Sequence, residues 1–330
     1  MQATSNTTVL CFGELLVRLQ STEASFFTAN TGQLKIYPGG SEANVAVTLA
    51  KLGIPTRYLS VGPDQMLVQE IKSCLQSYGV DTSAFIHQGD RLGSYYLLSA
   101  NGLSNGDVIY DRKYSAFSQL KADAINWDEL LDTVDWFHFT ALTPALNPAL
   151  AAQCKTALAT AHKKGITVSV DLNYRSRLWQ YGQEPIEVMP TLAQYADVIM
   201  GNIWAAHKML GTSIDDSLNR NTDKATYNAF SKQSAAEIFD KFPQCKHVAN
   251  TFRFMDSPQH NLFYGCYHSR TADAISESLE THVVIDRIGS GDAFMGGLIY
   301  ALVQQLSPQQ IIDTATKAGF EKLFIAGDFG

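Results

Sequence analysis

The sequence predicts an α/β protein: a mostly parallel central sheet with helices on both faces. Three observations carry this expectation. Short continuous apolar runs alternate with longer segments of helical period. Most helical segments are closed by a glycine, as at Gly53, Gly79, Gly165 and Gly211. Of 330 residues, 45% are hydrophobic and 17% charged, which supplies a sizeable core and excludes a disordered chain. No long linker or internal repeat divides the chain, so a single domain over residues 1–330 is expected.

Taken in order, residues 9–12 read as a buried strand ending at Gly13, and 43–52 as a helix closed by Gly53 and Pro55. A strand at 58–61 stops at Gly62-Pro63, and a helix at 66–78 stops at Gly79. Strand 136–139, helix 149–164, strand 166–170, strand 197–200 and a short helix 205–210 continue the alternation. Residues 215–227 are polar and read as a surface loop. Residues 283–285 read as a strand that leads into a glycine turn and an apolar helix to about 306. Two regions, about 15–37 and 91–116, hold strand-like runs with no intervening helix: 15–19, 34–37, 95–98 and 108–110. Asn101-Gly102 and Asn105-Gly106 mark turns between the last two. These four strands are expected to form a small second sheet beside the main body.

The charge balance is 25 Lys and Arg against 32 Asp and Glu, a net −7, with no basic run, so a nucleic-acid partner is not expected. No apolar stretch reaches the ~18 residues of a membrane span, and residues 1–8 lack the basic start of a signal peptide. The expectation is a cytoplasmic protein with no membrane partner. Cys11, Cys74, Cys154, Cys245 and Cys266 include no CxxC pair and read as isolated reduced thiols.

Three segments carry chemistry. In residues 286–297, Gly289 and Gly291 permit a tight turn whose N–H groups face inward, and the following helix start adds donors and a positive dipole end. Such a turn suits a phosphate. Asp292 in the first helical turn either caps the helix or takes a proton from a substrate hydroxyl. The segment is neither GxGxxG nor a Walker A loop. In residues 38–46, Gly39-Gly40 enters a helix, with Ser41 either its N-cap or, with Asn44, part of a polar ligand site. Residues 171–175 follow the carboxyl end of a strand, where open parallel sheets place ligands, and Arg175 there is either a surface ion pair or a ligand group.

These segments, in this order and together with Gly13-Glu14, resemble the ribokinase-like (PfkB-type) carbohydrate kinases over nearly the whole chain. Tyr110-x-Arg112 followed by Ser115-Ala116, and Gly93-x-Tyr95, are most similar to the 2-keto-3-deoxygluconate kinases among them. The resemblance implies a ribokinase-like fold whose two insertions form a β-sheet lid, often shared between two subunits, hence a homodimer. It implies Asp292 as the base, and the N–H groups of Gly289, Ser290 and Gly291 as an anion hole. Gly40, Asn44 and Tyr95 would hold the sugar, and Tyr110, Arg112 and Arg175 its acid end. Two guanidinium groups in one pocket suit a carboxylate and would not be repaid by a neutral sugar. Asn202, Thr251 and Arg253, with Gly289 and Gly291, would hold ATP, which brings Mg²⁺; a monovalent cation would sit near Asp286. The implied reaction moves the γ-phosphoryl group of ATP to the 6-hydroxyl of 2-keto-3-deoxygluconate. A fructokinase is the alternative within the class, and a catalytically silent sugar-acid sensor the alternative outside it.

The donor side departs from the family pattern. Ala205 stands where the family has a glutamate that helps organise metal and phosphates, Arg253 where it has glycine, and Arg287 where it has threonine. Gly327-Asp328 resembles the family's late Gly-Asp, so a final strand of the pattern is expected to be missing.

Overall fold

The computed structural model describes residues 7–23, 25–27, 31–98 and 108–329. Strand β1 (Val9–Phe12) lies between β4 (Thr56–Leu59) and β9 (Trp136–Thr140), parallel to both. Next to β9 follow β10 (Thr167–Asp171), β11 (Val198–Met200) and β12 (His247–Phe254), all parallel. β13 (Asn261–Ser269) turns back antiparallel to β12 and pairs with β14 (Asp273–Ile275) and β15 (Leu279–Thr281).

The unbroken apolar run of β1 follows from burial on both faces. Leu10 and Phe12 point into one core, with Leu158 of α4 (Pro148–Lys163), Met189 of α5 (Pro185–Ala193), Met209 of α6 (Ile203–Leu210) and Ile238 of α7 (Lys224–Lys241). Val9 and Cys11 point into the other, with Val47 of α1 (Ser41–Lys51), Leu75 of α2 (Met66–Ser77), Leu298 of α8 (Ser290–Val303) and Ile312 of α9 (Pro308–Glu321). A two-strand pair, β5 (Val61–Gly62) with β6 (Ile86–His87), and the short α3 (Trp127–Leu130) complete this body.

A separate four-stranded sheet runs in the order β3 (Leu34–Gly39), β2 (Leu16–Ser21), β7 (Gly93–Leu97), β8 (Val108–Asp111). Its strands come from the two expected insertions. The turns expected at Asn101-Gly102 and Asn105-Gly106 lie outside the described residues.

Four local expectations need correction. The strand at 58–61 is broken at Ser60, whose hydroxyl accepts from Leu15 N–H (2.9 Å). The loop at 215–227 ends early, because Asp223 caps α7 by accepting from Thr226 N–H (2.8 Å). Residues 283–285 form no strand: Val283 and Ile285 are exposed, and the N–H groups of Ile285 and Asp286 both turn to Leu323 O. The helix expected to reach 306 stops at Val303, just before Gln305 takes a positive φ of 52°.

Candidate active site

A cavity of about 480 Å³ opens between the small sheet and the carboxyl ends of β10 and β11. α1 and α8 bring their N-termini to its floor. The N-cap of α1 is Gly40, at φ 130°, where a side chain would meet Glu14 O at 2.5 Å. Ser41 is therefore not the cap. Its hydroxyl donates to Asp292 Oδ1 (2.5 Å), and Asn44 Nδ2 donates to Oδ2 (2.6 Å). Asp292 does not cap α8 either; both its oxygens face α1. Burial pushes its carboxyl above the ordinary value, opposed by those two hydrogen bonds and by the charges of Arg175 and Lys322.

A second carboxylate lies close by. Asn173 Nδ2 donates to Ser41 Oγ (3.0 Å), while Asn173 N–H donates to Asp171 Oδ1 (2.9 Å). Burial, then repulsion from Asp292, lifts Asp171 to about 7. A chain of hydrogen bonds thus joins the two acids through Ser41 and Asn173.

Gly289 has φ 83°, and a Cβ there would lie 2.2 Å from Asp328 O, so only glycine fits. The Ser290 N–H donates to Arg287 O (3.3 Å) and its hydroxyl to Gly319 O (2.7 Å). Ser290 therefore secures the turn and is not a free donor, against the expectation. The N–H groups of Gly289, Gly291 and Asp292 have no partner among the described residues. Asp286 is occupied differently from the expected cation site. Its carboxylate accepts from Arg18 Nη1 (3.2 Å) and Nη2 (2.5 Å), and from the N–H groups of Ile288 and Gly327 (both 3.0 Å). Arg18 also pairs with Asp328 (3.1 Å), and the buried ammonium of Lys322 donates to Ile325 O (2.9 Å) nearby.

The small sheet supplies the opposite wall. Arg112 lines the cavity, yet its Nε is bound by the buried Glu14 (2.5 Å), which also accepts from Ser115 Oγ. Tyr95 lines the cavity, but its hydroxyl donates to Asp328 (2.8 Å). Tyr110 lies 6.4 Å from the Tyr95 ring, and the exposed Arg175 donates to Tyr174 O (3.0 Å), with no other hydrogen bond among the described residues.

At the other end Asn202 caps α6, accepting from Ala205 N–H (2.8 Å). Thr251 and Arg253 project from alternate positions of β12, beside Trp204 and Met255. Arg253 Nη2 donates to Ser290 Oγ (2.8 Å). The carboxylates lining the cavity are Asp171, Asp292 and Asp328, and Ala205 occupies the position where a fourth was expected. This set does not fit a protein-held Mg²⁺ at the donor end. The cluster His260, Glu280 and His282, within 4.8 Å of one another, lies outside the cavity. Its His260 Nδ1 accepts from Asp256 N–H (3.0 Å), so Nε2 carries the proton shared with Glu280 (2.9 Å).

Comparison with known proteins decides what this cavity belongs to. The profile described as "pfkB family carbohydrate kinase" matches residues 6–323. The chain belongs to the pfkB family of carbohydrate kinases. The 2-dehydro-3-deoxygluconokinase of Thermotoga maritima superposes with a TM-score of 0.88 at 33% identity, over 98% of this chain and 94% of that one. The 2-dehydro-3-deoxygluconokinase of Bacillus subtilis is 26% identical over 88% of this chain and 81% of its own. The 2-dehydro-3-deoxygalactonokinase of Haloferax volcanii is 33% identical, over 52% of this chain and only 53% of its own length.

Within this pfkB-family fold, the cavity gathers Gly40, Asn44, Tyr95, Tyr110, Arg112, Arg175, Asn202, Thr251, Arg253, Gly289, Gly291 and Asp292, as the sequence led one to expect. The sequence reading missed what holds them. Glu14 fixes Arg112, Arg18 ties Asp286 to Asp328, and Ser41 with Asn173 joins the two acids. Glu14, Ser41, Asn173, Asp286 and Asp328 stood in segments the sequence singled out, but their pairings left no signal, and neither did Arg18.

Proposed function

We propose that this pfkB-family kinase moves the γ-phosphoryl group of ATP to a hydroxyl of a 2-keto-3-deoxy sugar acid, 2-keto-3-deoxygluconate above all, at its 6-hydroxyl. One observation carries the reading: the buried Asp292 and the free N–H groups of the Gly289 turn share a single cavity with Arg112 and Arg175. Asp292 takes the hydroxyl proton as the oxygen attacks. The N–H groups of Gly289, Gly291 and Asp292 meet the charge on the phosphoryl oxygens, where fixed dipoles act without reorganising. Arg175 and the remaining donors of Arg112 receive the carboxylate, with Tyr110 beside them. Asn44 and Tyr95 line the sugar. Any Mg²⁺ would come with the nucleotide and would supply charge neutralisation on its phosphates, since Asp171, Asp292 and Asp328 are the carboxylates lining the cavity and none lies at the donor end.

The small sheet acts as a lid that excludes water from the donor. Its outer strands, β3 and β8, expose Leu34, Ile36 and Ile109, which suits pairing with a second subunit's lid. No helix among the described residues is long and apolar enough to cross a membrane, consistent with a cytoplasmic enzyme. The Glu14–Arg112 pair supports a second reading, a fructokinase, because it already neutralises one of the two cations.

The test is ADP release from ATP and Mg²⁺ with 2-keto-3-deoxygluconate, 2-keto-3-deoxygalactonate, gluconate, fructose and ribose. A 2-keto-3-deoxy acid should give the highest kcat/KM. Faster turnover of fructose than of any 2-keto acid would hand the assignment to the second reading. No turnover, with sugar acid still bound, would leave a sensor.

A further inference from the structure

Arginines buried in this protein are otherwise compensated. Arg18 faces Asp286 and Asp328, and Arg112 faces Glu14. Arg287 is different. It is 5% exposed and makes one hydrogen bond, Nη2 to His260 O (2.8 Å). Its Nε and Nη1 are buried without a partner, and it enters no ion pair among the described residues. A guanidinium offers five N–H donors, so most of this one is unsatisfied. Arg253 repeats the pattern. It lies over the Phe263 ring (5.5 Å to the centroid), gives one N–H to Ser290 Oγ, and keeps a buried, unpartnered Nε. Burial, then repulsion from Arg287 and Arg175, lowers its pKa to about 10.

Both side chains belong to the cavity that holds the free N–H groups of Gly289 and Gly291. Both are attached to the same turn: Arg287 two residues before Gly289, Arg253 through Ser290. Two uncompensated cations beside an anion-binding turn form an arrangement that is complete only with an anion. Arg112 and Arg175, the candidates for the acceptor's carboxylate, follow β8 of the separate sheet and β10, apart from the glycine turn. The anion at the turn is therefore a phosphate chain.

We propose that Arg253 and Arg287 form a guanidinium clamp for the β- and γ-phosphates of the donor. The clamp supplies charge neutralisation on a wall where Ala205 provides no carboxylate to organise a metal. This rests on the kinase reading above, but it is tested apart from it. Apo stability is sacrificed for the clamp, since the unpaired cations repel each other until phosphate arrives.

The experiment measures binding of inorganic tripolyphosphate by calorimetry, without metal, together with thermal melts of the full chain. Arg287→Met, Arg253→Met and Arg287→Lys are compared with wild type. Each Met variant should lose about tenfold or more in tripolyphosphate affinity, because a charge-assisted donor set is removed. Arg287→Met should melt at or above the wild-type temperature without ligand and gain less on adding tripolyphosphate. Arg287→Lys should recover part of the affinity. In turnover assays the KM for ATP should rise while that for the sugar acid stays within about twofold, as donor-specific loss requires. A wild type that does not bind tripolyphosphate, or Met variants that bind it equally well, would overturn the clamp. So would an Arg287→Met protein that melts early with affinity unchanged, which marks a structural arginine. If Arg287→Met does not fold, Arg253→Met gives the same readout from a less buried position. Wild type that binds tripolyphosphate but phosphorylates no sugar keeps the clamp and removes the kinase reading. Normal turnover with an unchanged ATP KM in the Met variants does the reverse.

Discussion

Asp292 is held at both oxygens, by Ser41 and by Asn44. An incoming sugar hydroxyl must share or displace one of these donors, and Ser41, already linked to Asn173, is placed to turn aside. Asp292→Asn keeps the shape and removes the base, so kcat should fall by about 10²–10⁴-fold with KM values largely kept. Steady-state kinetics on both substrates checks this; near-full turnover would remove Asp292 from the mechanism. Two other buried carboxyls, Asp171 and Glu42 of α1, make a stability prediction. Burial lifts both Asp171 and Glu42 to about 7. In the unfolded chain such groups return to about 4. Between those values the folded state holds the extra protons, so these groups stabilise most at the acid end of the window. Their contribution falls as pH rises toward 7, by at most about 1.4 kcal/mol per pH unit and proton. Asp171→Asn should flatten that fall in denaturant melts at pH 5 and pH 7.5. An unchanged slope would mean that Asp171 ionises normally in the fold.

At the scale of elements, the two glycines of the turn do different work. Gly289 has a positive φ and a backbone oxygen where its Cβ would lie. Gly289→Ala should cost about 1–3 kcal/mol or more, the range for enforced backbone strain. Gly291 sits within α8 with open space around its missing Cβ. Gly291→Ala should keep or raise stability, by up to about 1 kcal/mol as for glycine to alanine in a helix. Its methyl group would project where phosphate is to lie, so activity should drop about 10²-fold, the scale of small misplacements in a reacting site. Melting temperature and kcat, measured on both variants, should therefore move in opposite patterns. This division was invisible in the sequence, where both glycines read alike. Elements were legible where one signal dominated: β1 as a continuous apolar run, and α1, α2 and α4 by their closing glycines. Residues 283–285 misled because a β-branched run need not be buried. Val283 is 64% exposed, and the segment leans on a turn near the C-terminus instead of a strand. The run from β12 to β15 offered no alternation, since seven of the nine residues of β13, all but Leu262 and Ser269, are buried.

Across the whole molecule, the separate sheet is fastened to the glycine turn by one side chain. Arg18 leaves β2, stacks over Tyr37 (4.3 Å) and joins Asp286 to Asp328, while Tyr95 of β7 adds its hydroxyl to Asp328. Its partners lie 268 and 310 positions away in the chain, so no local pattern in the sequence announced them. The resemblance placed a monovalent cation near Asp286; the fold places a guanidinium there. Burial opposes that charge, but Asp328 and Asp286 hold Arg18 protonated. An internal cation of fixed geometry leaves Asp286 with no oxygen free for an ion, so turnover should be indifferent to exchange of K⁺ for tetramethylammonium at constant ionic strength. Removing the guanidinium reverses the situation. Arg18→Ala leaves two buried carboxylates facing a void, at a cost of about 3–5 kcal/mol, as for one broken partner of a buried pair. That void has the charge and the shape for a small cation. Millimolar guanidinium should restore stability and part of the activity of Arg18→Ala, with K⁺ weaker because it cannot donate hydrogen bonds to both acids. Melts and initial rates across guanidinium, K⁺ and tetramethylammonium decide the matter. A wild-type rate that rises severalfold with K⁺ would show that the ion binds elsewhere, and that Arg18 only fastens the sheet.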